Sequence, residues 1–111
     1  MLQQIKHKYK AISTSVDDIR FDSKLEASYY QHLKLLQRSD IIHHFHRQVA
    51  FDLPGGVKYI CDFLVFYLQP DSYCEYVDVK GMKPLPISQM KIKQVKEIYG
   101  VEVRLVYKGD F

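Results

Sequence analysis

Residues 59–67 and 76–81 are almost wholly apolar, β-branched or aromatic, and only Asp62, Asp78 and Lys80 carry charge within them. Both runs read as strands. The short turn between them, Gln69, Pro70, Asp71 and Ser72, pairs them as an antiparallel hairpin. Side chains alternate along a strand, so Asp78 and Lys80 share one face. A turn centred on Pro70 sets Asp62 directly opposite Asp78 on that same face, and a register one residue off would separate them. Two carboxylates and a lysine then converge on one patch of a mostly buried sheet. Such charges are costly to bury unless they pair with one another or hold a cation.

The rest of the chain must supply the layers around this hairpin. Its 111 residues, 47% hydrophobic and 26% charged, suit one globular domain over residues 1–111. No apolar run approaches a membrane span. The first residues, Met1 to Lys6, lack the apolar core of a signal peptide. Cys61 and Cys74 fall on opposite sides of the sheet in this register, which argues against a disulfide and for a reducing, intracellular location. A net charge of +3 does not announce a nucleic-acid partner, so the distribution of charge carries the argument.

Residues 1–10 hold Lys6, His7, Lys8 and Lys10 without an acid. They read equally as a solvated tail or as a basic arm lying along phosphates. Asp17 and Asp18 between residues 9–15 and 19–21 suggest a small hairpin or extended entry. Ser23, Lys24, Leu25 and Glu26 match the capping box that opens a helix. Leu25, Tyr29, Leu33 and Leu36 recur at helical spacing as its core stripe, and the helix should end near residues 38–40. Glu26 by itself is best explained as the capping-box carboxylate, returning to the Ser23 amide. From that first turn it also has the sheet within reach.

Residues 41–53 read as a long strand, with Phe45, Arg47, Val49 and Phe51 on one parity and His46, Gln48, Ala50 and Asp52 on the other. His43, His44 and His46 make no closed ligand set and read as an exposed strand entry. Pro54, Gly55 and Gly56 form a turn. Beyond the hairpin, Met82, Lys83, Pro84, Leu85 and Pro86 make a proline-bounded loop. Ser88 is the expected cap of a second helix whose buried stripe is Ile92, Val95, Ile98 and Tyr99 and which Gly100 ends. Residues 101–107 close the chain as a strand. Lys80, Lys83, Lys91, Lys93 and Lys96 follow one another with no acid between. The plain reading is a solvated helix face, and the functional one is a phosphate-binding face beside the acidic patch.

Helix, three strands, helix, strand, with Glu26, Asp62 and the Asp78-Val79-Lys80 tripeptide in these places, resembles the PD-(D/E)XK nuclease superfamily. Asp62 stands for its first acid without the literal Pro-Asp, Asp78 and Lys80 for the acid-x-lysine half, and Glu26 for the helix glutamate. The combination is more specifically similar to a small nuclease-like family of phages and prophages, akin to Holliday junction resolvases and phage endonuclease I. The resemblance covers residues 9–107. It implies an α/β fold, a restriction-endonuclease-like αβββαβ core with a mixed central sheet flanked by helices. It implies a Mg²⁺- or Mn²⁺-dependent endonuclease acting on DNA in the cytoplasm of a bacterial host, with branched DNA a candidate substrate.

By the same resemblance, Asp62, Asp78, the Val79 carbonyl and Glu26 are the expected metal ligands, and Lys80 orients or activates the water. Hard carboxylate oxygens suit Mg²⁺, and a bound cation offsets phosphodiester charge while lowering the pKa of its water. Lys8, Lys10, Lys83, Lys91 and Lys93 are the expected nucleic-acid contacts, and Gln48 is a further candidate for a water or substrate contact. Two cuts on two strands suit a two-fold enzyme, so a homodimer is expected. The alternative is a non-catalytic nucleic-acid-binding module on the same fold, its acids surviving as a buried salt-bridge cluster. A protein-interaction domain draws only thin support from nine tyrosines.

Overall fold

Asp17 and Asp18 both hold positive φ, 52° and 61°, the backbone a two-residue hairpin turn demands and aspartate tolerates. They join β1 (Thr14–Val16) to β2 (Ile19–Phe21) as a small antiparallel pair, and the Tyr30 hydroxyl donates to Asp17 Oδ2 at 2.9 Å. The computed structural model describes residues 14–111; the basic arm, with Lys8 and Lys10, lies outside the described residues.

The helix α1 (Lys24–Arg38) begins where the sequence places it. Ser23, in extended backbone, accepts a 3.1 Å bond from the Glu26 N–H, satisfying one of the orphan donors of a helix start. Tyr29, Tyr30, Leu33 and Ala27 are its buried face, and Glu26 is buried with them. Leu25 is only half-buried and faces the cleft described below. Only half of the capping box forms: the Glu26 carboxylate turns away to Arg47, at 3.7 Å.

Three strands follow: β3 (Ile42–Leu53), β4 (Val57–Tyr67) and β5 (Tyr73–Val79). The first turn uses Gly55 and Gly56, both at positive φ, where a side chain would be strained. The β4–β5 register is the one Pro70 suggested, with Tyr67 opposite Tyr73 and Phe63 opposite Val77. After α2 (Pro86–Tyr99), β6 (Val103–Val106) returns parallel to β5. The result is a mixed four-stranded sheet in the order β3-β4-β5-β6 with two helices. No helix among the described residues is long and apolar enough to cross a membrane.

Two details of α2 differ from expectation. Leu85, not Ser88, is the N-cap, because Pro86 takes the first helical position, where its fixed φ is preorganised and its missing N–H is no loss. Val95 is fully buried, but Ile98 and Tyr99 are about half exposed, since so short a strand as β6 does not cover the last turn. Tyr99 instead lays its ring beside Phe51 and donates its hydroxyl to the Asp52 carbonyl at 2.7 Å.

The core forms two clusters. Phe63, Val65 and Val77 pack with Tyr29 and Leu33 of α1, while Tyr59 and Cys61 pack with Val95 of α2. Residues 59, 61, 63 and 65 form one alternating row of β4, so this row passes from one helix to the other between Cys61 and Phe63. At that level β3 holds Gln48 at φ 55°. Pairing runs from Arg47–Phe63 to Val49–Cys61 in step, skipping the pair between. The β3 backbone is therefore irregular there without a slip in register.

Phe63 is wholly buried, its ring 5.2 Å from Tyr29 and 6.1 Å from Phe45. Phe63→Ala is expected to lower unfolding free energy by about 3–5 kcal/mol, and Ile98→Ala by less than about 0.5 kcal/mol. Urea titration followed by circular dichroism checks both; equal losses would contradict the assigned core.

Candidate active site

β4 extends beyond β5, and their paired ladder ends at Phe63 and Val77. From there β4 continues with β3 alone, while β5 continues with β6, the Lys80 N–H donating to the Val106 carbonyl at 2.8 Å. Strands that part in this way leave main-chain N–H groups that need acceptors. Two carboxylates supply them. The Asp62 N–H donates to Asp78 Oδ1 at 3.0 Å, and the Val79 N–H donates to Asp62 Oδ2 at 2.8 Å. Each aspartate thus bonds across to the other's strand, and the two carboxyls lie side by side.

The space between the parted strands is a cleft of about 480 Å³. Asp62, Asp78, Val79 and Lys80 form its floor, Glu26 and Ser23 of the α1 start one wall, and Ser88 and Lys91 of α2 the other. Lys91 leans across the opening, its Nζ donating to the Lys58 carbonyl at 3.2 Å. A larger groove of about 700 Å³ runs between residues 73–76 and 100–104. Its charged pair, Glu75 and Arg104 at 3.0 Å, is already neutralised, so the smaller cleft is the chemically loaded one.

Charge in this cleft is crowded. Burial first, then the neighbouring charges of Asp78 and Glu26, push the Asp62 carboxyl up from 3.8 to about 8. Burial also raises Glu26, opposed by Arg47 and reinforced by Asp22 and Asp78. Lys80 Nζ stands 3.2 Å from Asp78 Oδ2, and the Tyr59 hydroxyl donates to that same oxygen. Tyr59 is held far above its ordinary range, by burial first and then by this bond. Burial likewise lifts the Cys61 thiol to about 12, leaving it an inert core group.

Glu26, Asp62, Asp78, Val79, Lys80 and Lys91 therefore come to one cleft. Lys83, Lys93 and Gln48 do not line it; Gln48 is exposed on β3. Arg47 and Tyr59 escaped the sequence reading. Arg47 sits on the parity assigned to the core, its guanidinium 4.5 Å over the Phe21 ring and its Nε buried without a hydrogen bond. Tyr59 reads as an ordinary core aromatic, though its odd spacing from Asp78 across the hairpin is visible. His44 stacks on Phe66 at 4.4 Å, remote from these acids in the sheet.

A hard divalent cation is chemically suited to the paired carboxyl oxygens of Asp62 and Asp78. Among the described residues, however, no three His, Cys, Asp or Glu side chains are grouped as a ready ligand cage. Glu26 faces the cleft but its carboxylate is engaged with Arg47.

A protein-family model described as "Protein of unknown function (DUF1064)" matches residues 6–109. No curated protein and no solved structure matches the chain.

The Asp62 shift has a consequence for stability. Its folded value lies above its unfolded one, so its contribution is full below pH about 4 and is lost as pH rises through about 8. In chelator-containing buffer, the urea midpoint should fall across that window. Asp62→Asn should flatten most of the fall, leaving a residue from Glu26, whose carboxyl is also raised. An unchanged pH profile in the variant would show that Asp62 is not the group responsible.

Proposed function

The chain belongs to the DUF1064 family, and from its own residues we propose that it is a metal-dependent DNA endonuclease on a restriction-endonuclease-like αβββαβ core. The observation that carries this reading is the Asp62–Asp78 carboxyl pair with Lys80 on the same strand face, set in a cleft that also holds Glu26. Spacing, strand context and helix glutamate match the PD-(D/E)XK pattern together, where the tripeptide alone would not.

Asp62 and Asp78 would hold Mg²⁺ or Mn²⁺, with the Val79 carbonyl and Glu26 as further donors. When bound, such an ion offsets charge on the phosphodiester and lowers the pKa of a water. Tyr59 fixes the Asp78 carboxylate from below through its hydroxyl. The crossed bonds from the Asp62 and Val79 N–H groups fix the carboxyls relative to the two strands. That preorganisation holds the acids together before any cation arrives. Lys80, half-buried beside Asp78, is placed to orient a water or to face phosphate charge. Lys91 at the rim offers a phosphate contact, and Lys83 and Lys93 extend the positive charge outward. Glu26, paired with Arg47 at 3.7 Å, would be the donor that a cation at the aspartate pair competes for.

The second reading, a non-catalytic nucleic-acid-binding module, has its own support. The Lys80–Asp78 and Arg47–Glu26 pairs already neutralise two of the acids, as a retired site would. The two readings part on metal. The nuclease reading predicts heat of Mg²⁺ or Mn²⁺ binding in calorimetry and metal-dependent cutting of DNA. Asp78→Asn and Lys80→Ala should each reduce cutting at least about 100-fold. Glu26→Gln should remain folded and lose activity by a similar factor. DNA binding without metal heat or cleavage would establish the module instead. Lys83→Ala combined with Lys91→Ala should weaken DNA binding and lower its salt slope while leaving metal affinity unchanged. A salt slope equal to that of the wild-type protein would remove those lysines from the interface.

A further inference from the structure

Met82, Leu85 and Ile87 are 75%, 65% and 58% exposed, the three most exposed large apolar side chains among the described residues. All three fall within six residues, and Met90, half exposed, lies one helical turn past Ile87. The β5–α2 loop that carries the first two begins at Gly81 and leads to Ser88, and both of these line the acidic cleft. The apolar segment is thus the outward continuation of the cleft's own rim. Pro84 and Pro86 stiffen it, so its exposure is not the sag of a slack loop. The Gln89 side chain donates to the Pro84 carbonyl at 2.7 Å and ties the loop to the helix start.

Lysine is interleaved with this apolar surface. Lys83, Lys91 and Lys93 flank it, and residues 80–96 contain no acid. Apolar side chains beside cations fit a ligand that pairs a regular row of negative charge with flat apolar faces. A second copy of the chain fits poorly. A two-fold contact centred here would bring each lysine toward its own equivalent, with no acid in the segment to answer it. A fully paired duplex also fits poorly, because it turns phosphates and base edges outward and hides base faces in the stack.

We propose that residues 82–90 form an apolar wedge that contacts the faces of unpaired bases, so that the cleft receives a single-stranded stretch of nucleic acid. Methionine, leucine, isoleucine and proline are side chains that minor-groove binders insert between base steps at the cost of unstacking them, a cost that an unpaired strand does not carry. Here the phosphates of the strand run along Lys83 and Lys91, and the bases lie on Met82, Leu85 and Ile87. This deepens the nuclease reading and rests on it for the presence of nucleic acid at the cleft. It adds a requirement that phosphate contacts alone do not impose, since they carry no information about bases.

The test measures binding in chelator, where cleavage does not enter. Fluorescence anisotropy compares a labelled single strand with the same strand carrying abasic sites in its central positions, which keeps every phosphate and removes base faces. The wild-type protein should bind the abasic strand about tenfold more weakly. Met82→Ser combined with Leu85→Ser should weaken binding of the intact strand by a similar factor and lose the distinction between the two strands. Both positions are largely exposed, and circular dichroism confirms that the variant is folded. Equal wild-type affinity for both strands, or an abasic penalty that survives in the variant, overturns the wedge while leaving the nuclease reading untouched. Base-dependent binding without any metal-dependent cleavage would support the wedge and overturn the nuclease. Sedimentation of both proteins closes the remaining route: a dimer that the double substitution dissociates, with strand binding unchanged, overturns the wedge in favour of a contact between copies.

Discussion

Two carboxylates stand in for main-chain carbonyls where β4 and β5 part company. A sheet that splits exposes N–H groups in its interior, and leaving them unpaired is expensive. Asp62 and Asp78 answer each other's strand, with bonds of 3.0 and 2.8 Å. Both main-chain donors are thereby satisfied where the strands separate. The same bonds draw two acidic groups together in a buried place, and burial first, then the neighbouring carboxylates, raise the Asp62 carboxyl. Structural necessity and chemical potential therefore reside in the same two side chains.

The irregular backbone at Gln48 lies at the same level. Along the alternating row of β4, Phe63 and Val65 pack with α1 while Tyr59 and Cys61 pack with α2. The change falls at Asp62, the one position of that stretch the pairing with β3 skips. A non-glycine residue at positive φ, as Gln48 is, is strained, and it sits between the two apolar clusters. Tyr59 satisfies its hydroxyl on the buried Asp78 carboxylate, as a buried tyrosine must.

Cations around the cleft are graded by distance from the acids. Lys80 touches Asp78, Arg47 touches Glu26, Lys91 closes the rim, and Lys83 and Lys93 lie outside it. The inner pair offsets burial of the acids, which uncompensated would be severe. The outer lysines have no such duty, since they are half-buried or exposed, and they stand beside an apolar loop that the protein does not cover. Arg47 is the least comfortable of these groups. It is stacked over Phe21 with a buried Nε that makes no hydrogen bond, a cost offset by the ring contact and the Glu26 pair.

Local pattern alone determined a good deal. Alternation and the Pro70 turn give the β4–β5 register, and with it the meeting of Asp62, Asp78 and Lys80, because a one-residue slip would expose the apolar face and the short turn excludes longer slips. Ser23 gives the start of α1 and Gly100 the end of α2, because caps are satisfied within a few residues. The tertiary structure decided what depends on non-local contact. Glu26 is a local capping residue in the sequence, yet its carboxylate is claimed by Arg47 from another strand. Tyr59 and Arg47 look like core positions, yet they bond Asp78 and Glu26 of the cleft, partners that lie on other elements and so are invisible to local pattern. Ile98 and Tyr99 hold the right spacing for burial and remain half exposed, because periodicity says which residues share a face but not whether another element arrives to cover it.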